Sequence, residues 1–369
     1  MDLEQYRELG LYDPDAPDAE SRALILGWLD EHGVSVEQMR RSDAFGSLWS
    51  AAGDAAVRPG RSLTLEELCR TTGLDPTLIG QVLTASGLTT APGDGHRFTE
   101  LDIDTFTMFG AGVEMFGIEA ILEFTRVLGT SMARIAEASV TLFQTTIEAP
   151  LRATEPDPIS FAETNLAGVQ ALAMVPRAMD GLFHAHVELA IRRSREAHDG
   201  VSPVHARRMA VGFVDLVGFT PLSRTLDERE LGALIEHFER QANDLVTLHD
   251  GRVVKHIGDE VMFVAVSAAA ACRIATALVD AFRSSEHRVT PHGGVAWGSL
   301  VTRGGDFYGP VVNLASRVAD LAVPDEILVT AEVVGAADGT TDLRFEPAGR
   351  RMLKGFDEAV PLWAVTEAQ

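Results

Sequence analysis

Two aspartates stand where strongly apolar runs end, and a carboxylate in that position can reach both solvent and a bound ion. Asp215 follows the apolar run 209–214 and precedes a turn that contains Gly218 and Phe219. Asp259 follows a glycine between two further apolar runs. This pattern suits a divalent metal, with phosphate groups on the backbone amides of the turn. Taken alone, Asp215 is equally well explained as a helix N-cap, and Asp259 as part of an ordinary hairpin turn.

A third group of polar residues lies at 306–317. Asn313 and Arg317 are four residues apart, so a helix would place them on one face. Asp306 lies in the loop before that helix. An amide and a guanidinium that project together beside a carboxylate-bearing loop are uncommon where only packing is needed, so this group favours a binding or catalytic role.

Lysine is rare in this chain. Of the 31 basic residues, two are lysines, Lys255 and Lys354. A general preference for arginine explains most of that bias. The two lysines are nevertheless candidates for positions that need a compact point charge, which a planar guanidinium does not supply.

Three motifs together resemble the class III nucleotidyl cyclases over residues 206–365. They are Phe-x-Asp-x-x-Gly-Phe-Thr from Phe213, Lys-x-x-Gly-Asp from Lys255, and Asp-x-x-Gly-x-x-x-Asn-x-x-x-Arg from Asp306. The resemblance implies a reaction in which the ribose 3′-hydroxyl of ATP attacks the α-phosphate, giving 3′,5′-cyclic AMP and pyrophosphate. Two cations about 3.5–4 Å apart assist such an in-line displacement.

The resemblance also implies a role for each residue. It assigns two divalent ions, Mg²⁺ or Mn²⁺, to Asp215 and Asp259, and the hard oxygen ligands argue against zinc. It assigns orientation of the ribose to Asn313, and charge stabilisation on the α-phosphoryl oxygens to Arg317. The further nucleotide-binding positions are Lys255, Asp306, Lys354, Phe219 and Gly218. The match at Lys354, which would grip the triphosphate, lacks the flanking Lys-Gly repeat common in relatives.

Hydrogen-bond chemistry predicts the base. Adenine presents a donor at N6 and an acceptor at N1, whereas guanine presents the reverse on the same edge. Lys255 is donor-only, and an ionised Asp306 is acceptor-only. The pair therefore favours ATP over GTP; guanylate cyclases of the family carry Glu and a smaller residue instead.

One catalytic domain is expected to hold only half of each site. In the family, the metal-binding aspartates come from one catalytic domain, and the base-reading pair, the Asn and the Arg come from the other. This chain contains a single catalytic domain, so the resemblance implies a head-to-tail homodimer with two equivalent sites.

The elements that must position these residues follow from apolar periodicity. From 206 to 369 the order strand–helix–strand–strand–helix–strand predicts a ferredoxin-like α+β domain with its helices on one face of the sheet. Strands are expected at 209–214, 252–257, 261–266 and 292–301, with short strands near 327, 343 and 361. Helices are expected at 227–249, 268–282 and 311–321.

Residues 1–198 predict an all-helical domain. Segment 62–88 has the outline of a helix-turn-helix, and long helices are expected at 117–146 and from about 160 to 196, with Pro176 as a kink. A helical domain before such a catalytic domain resembles the two-domain cyclases of the mycobacterial type. In that family the helical domain regulates catalysis, in response to acidity in some members and to fatty acids in others. A linker helix near 187–198 would transmit the signal.

The regulatory signal is left open by the sequence. His184, His186 and His198 lie near the linker, and histidine as a residue type changes charge near neutrality, although ordinary polar helix positions also explain them. The apolar helices could enclose a fatty acid, or they could simply form a core.

Composition limits the remaining function classes. Asp+Glu 54 against Lys+Arg 31 gives a net charge of −23, which disfavours nucleic acid or an anionic membrane as a primary partner. Two cysteines and the absence of a long apolar run predict a soluble, cytoplasmic protein. Two alternatives remain, a catalytically inactive nucleotide sensor and a DNA-binding regulator. Intact motif positions oppose the first, and the lack of basic residues at 77–90 opposes the second.

Overall fold

The chain forms two compact units, Met1–His184 and Ala185–Gln369. The computed structural model describes residues 2–88, 98–154, 157–197, 206–219, 222, 224–283 and 289–368. His198 and the predicted domain boundary at 199–205 lie outside the described residues, so the division into domains 1–198 and 206–369 stays a prediction. No helix within those ranges is both long and apolar enough to cross a membrane.

The first unit is built from helices, as predicted. Its α-helices in the described ranges are α1 (Leu3–Glu8), α2 (Ala19–Glu31), α3 (Val36–Ala44), α4 (Ala51–Val57), α5 (Leu65–Thr72), α6 (Pro76–Ala85), α7 (Glu100–Phe116), α8 (Ile118–Phe143), α9 (Ala149–Arg152) and α10 (Pro158–Leu172). A 3-10 turn (Leu48–Ser50) precedes α4, and a π-helical segment (Gln144–Glu148) joins α8 to α9. Helix α11 (Val175–Glu196) begins in this unit and continues into the second.

The helix-turn-helix outline is present in α5 and α6. Thr64 and Glu67 form a capping box that starts α5, and Gly73 ends it in the left-handed conformation, with φ at +72°. Asp75 then caps α6 by accepting a hydrogen bond from the Thr77 amide. Local capping chemistry therefore fixes both helices where the sequence predicts them.

The prediction of one long helix from 160 to 196 is wrong. The segment forms α10, which ends at Leu172, and α11, which starts at Val175. Pro176 lies in the first turn of α11, where its missing N–H would have had no intrahelical partner. Inside a continuous helix the same proline would remove a hydrogen bond and clash with the preceding turn, so the chain starts a new helix instead.

The second unit contains the ferredoxin-like order predicted from the sequence. Its strands are β1 (Ala206–Val217), β2 (Arg252–Ile257), β3 (Glu260–Ala265), β4 (Thr290–Arg303), β5 (Asp306–Tyr308), β6 (Ile327–Thr330), β7 (Leu343–Arg351) and β8 (Val360–Glu367). Its helices are α12 (Glu228–Leu248), α13 (Ala268–Arg283), α14 (Pro310–Ala319) and α15 (Ala331–Ala336). The strand order is β2-β3-β1-β4-β6-β8-β7, with β5 paired to β4. Strands β4 and β6 are parallel, and the other pairs are antiparallel.

Both faces of this sheet are covered. Helices α12 and α13 contribute residues such as Phe238 and Ile274 to a core that includes Val214 of β1. On the opposite face, α14 packs Ala315 against a second cluster that contains Phe213. The expectation that all helices lie on one face is therefore wrong for α14. Strand β1 is apolar on both sides, and such a strand needs cover on both.

Candidate active site

The two predicted metal ligands lie at the same end of the central strands. Asp215 is near the end of β1, directly opposite Glu260 on β3 and His292 on β4. Asp259 lies in the turn between β2 and β3, next to Gly258, whose φ is +67°. Burial, reinforced by the charge of Asp215, raises the pKa of Asp259. The structure therefore brings the two carboxylates into one electrostatic site.

Two further titratable residues, missed by sequence reasoning, adjoin this pair. Burial, followed by the charge of Asp215, raises the pKa of Glu260 to about 7. His292 Nε2 lies 3.6 Å from Asp215 Oδ2, and the interaction with that carboxylate raises the pKa of His292. Strand register is the signal that could have found both, because the neighbours of Asp215 in an antiparallel sheet are fixed by the pairing.

The carboxylates fit the divalent metal that the resemblance implies. Asp215 keeps 36% of its side chain exposed, so its oxygens are accessible, and a cation would relieve the repulsion between Asp215 and Asp259. In the described part of the chain, no three His, Cys, Asp or Glu side chains group as a metal site. Mg²⁺ commonly binds through one or two carboxylates, and water and substrate phosphates complete its ligand set.

The two residues predicted to read the base contact each other. Lys255 Nζ donates a hydrogen bond to Asp306 Oδ2 at 2.7 Å, across 51 residues of sequence. Burial opposes ionisation of Asp306, but the hydrogen bonds from Lys255 and from the Phe307 amide outweigh it and lower the pKa of Asp306. The pair is thus an ammonium and a carboxylate, with side-chain exposures of 43% and 28%.

Arg252, also missed by sequence reasoning, holds the segment around Asp306 in place. Its Nη2 donates a hydrogen bond to the Gly305 carbonyl oxygen, and its guanidinium carbon lies 4.8 Å from the centre of the Phe307 ring. These contacts fall on the residues immediately before and after Asp306. A cation three positions before Lys255 on the same strand was the available signal.

Helix α14 presents the predicted Asn and Arg on its outer side. Its buried residues include Val311, Ala315 and Val318, whereas Asn313 is exposed. Arg317 Nη1 lies 2.9 Å from Asp320 Oδ2, and 42% of the Arg317 side chain is exposed. The four-residue spacing therefore does what the sequence predicts, because both side chains project away from the sheet.

Register places Asp215 of the metal pair and Lys255 of the base-reading pair on one face of the sheet. Lys255 is paired with Met262, and Met262 with Phe213; these last two belong to the cluster under α14. Asp215 is two residues beyond Phe213 and therefore shares that face. With strand and residue spacings of about 4.8 and 3.4 Å, the Cα atoms of Lys255 and Asp215 are about 12 Å apart. The two pairs are distinct groups within one chain.

The other predicted substrate-binding residues lie in turns. Gly218 is exposed after β1 with φ at +84°, and Phe219 packs partly against the core beneath α12 and α13. Lys354 is exposed in the turn between β7 and β8, and β7 and β2 form opposite ends of the strand order. The sheet topology therefore does not bring Lys354 beside Lys255, and the role of Lys354 stays a prediction.

Both units match families of known proteins. Residues 202–366 match the model described as the adenylate and guanylate cyclase catalytic domain. Residues 8–187 match the adenylate cyclase regulatory domain.

Relatives extend the match over nearly the whole chain. An uncharacterized protein of Mycobacterium tuberculosis is 30% identical over 363 residues, covering 98% of this chain and 93% of the relative. An adenylate cyclase of Streptomyces coelicolor is 33% identical, covering 73% of this chain and 70% of the relative. A pH-sensitive adenylate cyclase of M. tuberculosis is 28% identical, covering 93% of this chain and 87% of the relative. Matches of this extent, over a catalytic unit with the cyclase motifs and a helical unit before it, make this chain a member of the class III adenylate cyclases that carry an N-terminal regulatory domain.

Proposed function

We propose that this adenylate cyclase converts ATP into 3′,5′-cyclic AMP and pyrophosphate at two equivalent sites, each shared between two copies of the chain. The observation that carries the proposal is the 2.7 Å contact between Lys255 Nζ and Asp306 Oδ2. The fold brings a donor-only and an acceptor-only group together from two strands. That pair is the complement of the N1 acceptor and N6 donor of adenine.

The two carboxylates at the end of β1 and before β3 would hold the divalent metal. When bound, the metal supplies Lewis-acid activation of the attacking oxygen and neutralises charge on the leaving oxygen. Asp215 and Asp259 would supply hard carboxylate oxygen ligands at a point where negative charge is already concentrated. Mg²⁺ and Mn²⁺ both accept this ligand chemistry.

Helix α14 supplies the groups that would act on the ribose and the α-phosphate. Asn313 would orient the ribose through its side-chain amide, and the Arg317 guanidinium would face the charge that builds on the α-phosphoryl oxygens. Among the described residues, Arg317 pairs with the exposed carboxylate of Asp320 at the end of its own helix, a partner that it can exchange for a phosphate. Gly218, Phe219 and Lys354 would complete the contacts to the phosphates.

The position of these groups supports a homodimer. Asn313 and Arg317 project outward from α14, away from the sheet of their own chain. Asp215 and Lys255, one from each predicted pair, also lie apart from each other on the same sheet face. An outward-facing helix and an adjacent outward-facing metal site suit a two-fold arrangement in which each copy completes the site of the other.

The base-reading role of Lys255 and Asp306 is tested by replacing both with the residue types that guanylate cyclases carry. In Lys255→Glu/Asp306→Ser, the kcat/KM for ATP should fall at least about a hundredfold, since two hydrogen bonds are lost or mispaired. Turnover of GTP should rise relative to that of ATP. Arg344→Ala, which removes an exposed cation paired with Glu346 on the same strand, should leave the preference unchanged. A double variant that keeps the original preference for ATP would contradict the assignment.

We also propose that the helical unit regulates catalysis, in response to pH or to a fatty acid. The similarity to a pH-sensitive adenylate cyclase supports the pH alternative. His184 on α11 is 75% exposed and lies 3.7 Å from the Asp180 carboxylate, so its ring is accessible to solvent. His184→Ala/His186→Ala should flatten a change of activity between about pH 7 and pH 6. A response to fatty acid at constant pH, with an unchanged pH profile in that variant, would favour the lipid alternative.

A further inference from the structure

The second unit contains a cavity of about 240 Å³ that the cyclase chemistry does not use. It is lined by the last turns of α11 and by residues of β1, β2, β3 and β5, all of which belong to Ala185–Gln369. Three of the lining residues are arginines on three different elements: Arg193 on α11, Arg207 on β1 and Arg252 on β2. In a chain with a net charge of −23, such a concentration of positive charge needs an explanation.

The positive charge in the cavity is not balanced by its own walls. The lining residues in the described part of the chain include no Asp or Glu. Opposing charges act from Asp250 and Glu196 on Arg193, and from Asp306 on Arg252, but none of these carboxylates lines the cavity. Burial, followed by the charge of Arg193, lowers the pKa of Arg252, so the guanidiniums repel one another in a partly desolvated space.

The arginines keep hydrogen-bonding capacity to spare. Arg193 Nη2 donates to the Gly251 carbonyl oxygen at 2.7 Å, and Arg207 Nη2 donates to Ser194 Oγ at 3.0 Å. Arg252 uses Nη2 on Gly305, while its Nε is buried without a hydrogen-bond partner among the described residues. A guanidinium carries five donors, and a buried unsatisfied donor is costly. Among the described residues, the site is therefore short of acceptors.

The chemistry that satisfies such a site is that of an oxyanion. Planar guanidinium forks bind carboxylate and phosphate oxygens in pairs, and much of the remaining lining is apolar, including Leu189, Met209 and Phe307. At about 30 Å³ for each water, the volume corresponds to about eight waters, which suits a small ion. We propose that this cavity binds a small oxyanion, a phosphate or a short-chain carboxylate, between Arg193, Arg207 and Arg252. Bound there, the anion ties the end of α11 to β1 and β2.

The proposal is tested by calorimetric titration of the full-length chain with sodium phosphate and with sodium butyrate, against sodium chloride at equal ionic strength. At least one of the two oxyanions should bind, and the dissociation constant should rise about tenfold or more in Arg193→Gln/Arg207→Gln. Binding of phosphate alone identifies phosphate as the ligand class, and binding of butyrate alone identifies a carboxylate. Arg192→Gln removes the same charge from an exposed neighbour on α11 that does not line the cavity, and it should change the constant less than about twofold.

A second variant protects the test against misfolding. Ala190→Trp places a bulky side chain at an exposed helix position that lines the cavity, while all three arginines remain. It should abolish binding and keep the melting temperature of the wild-type chain. The proposal is overturned if neither oxyanion binds more tightly than chloride, or if both the double variant and Ala190→Trp bind as well as the wild type.

Discussion

The two units bury their helices to very different extents. Helix α13 of the catalytic unit has 16 residues, and 11 of them are buried. Helix α8 of the regulatory unit has 26 residues, of which Thr125 and Gly129 are buried, and α11, which begins in that unit and is described over its whole length, buries none of its 22. The difference indicates that the catalytic unit completes its core within one chain. The long regulatory helices expose apolar residues, including Phe124 and Leu128, that a second copy could cover.

The largest effect is expected in the catalytic unit, at a residue that contributes little to its core. Arg317→Ala should lower kcat about a thousandfold, because a guanidinium that stabilises transferring phosphoryl oxygens supplies a contribution of that size. The melting temperature should stay close to that of the wild type, since Arg317 is partly exposed and pairs with Asp320. Steady-state kinetics and calorimetry measure both quantities. A variant that keeps a tenth or more of the activity would contradict the role of Arg317.

Equivalent aromatic truncations should separate the two units. Phe238 is 1% exposed between α12 and α13, so Phe238→Ala should lower the free energy of unfolding by about 3–5 kcal/mol. Phe124 on α8 is 54% exposed, so Phe124→Ala should change it by less than about 0.5 kcal/mol in the monomer. The second variant should instead weaken self-association, which sedimentation at several concentrations measures. If Phe124→Ala is as destabilising as Phe238→Ala in the monomer, the contrast between the units is wrong.

Two glycines, one in each unit, test the same difference between the units, because a side chain at either position would contact backbone atoms. A Cβ on Gly294 of β4 would lie 2.3 Å from the Ala319 nitrogen of α14, and one on Gly129 of α8 would lie 2.4 Å from the Ser86 carbonyl oxygen. Both alanine variants should lose about 1–3 kcal/mol of stability, because neither contact can relax without moving backbone. Gly294→Ala should also lower kcat, since α14 carries Asn313 and Arg317. Equal losses of kcat in the two variants would show that the loss in Gly294→Ala does not arise from a displaced α14.

The smallest effect concerns the two cysteines. Burial raises the pKa of Cys272 on α13 to about 12, so its thiol stays protonated and unreactive near neutral pH. Cys69 on α5 is partly exposed. Iodoacetamide should therefore label Cys69 alone in the native chain, with little change in activity, as peptide mass spectrometry would show. Rapid labelling of Cys272 would indicate that the catalytic core opens more readily than its packing implies.

The central strands of the catalytic unit were predictable because each contains an apolar run bounded by a turn or a helix start. The expected strand 252–257 coincides with β2, and the expected helix 268–282 differs from α13 by one residue. At Pro176 the sequence predicted a kink and not the end of one helix and the start of another, because the apolar spacing continues across it. Nor did amphipathicity show on which face of the sheet α14 packs, since a helix with one apolar side can cover either face.

The site divides in the same way. Local sequence patterns predicted four of its residues. Carboxylates at the ends of apolar runs indicated Asp215 and Asp259, and a four-residue spacing indicated Asn313 and Arg317. The contact between Lys255 and Asp306 spans 51 residues. The pairing of these two residues was predicted from the family resemblance, because no local pattern relates them. Arg252 was missed because a cation on an edge strand is most simply explained as facing solvent, whereas here it is packed on Phe307.

The shared site is tested most directly by mixing two inactive variants. Each Asp215→Ala chain lacks a proposed metal ligand, and each Arg317→Ala chain lacks the guanidinium that would act in the site of its partner. With random exchange, half of the dimers are mixed and each has one intact site of two, so the mixture should recover up to about a quarter of the wild-type cyclic AMP production. Mixing Asp215→Ala with Asp259→Ala is the control and should recover nothing, since both defects belong to the same half-site. A mixture of Asp215→Ala and Arg317→Ala that stays as inactive as either variant alone, under conditions where the chains exchange, would contradict the shared site.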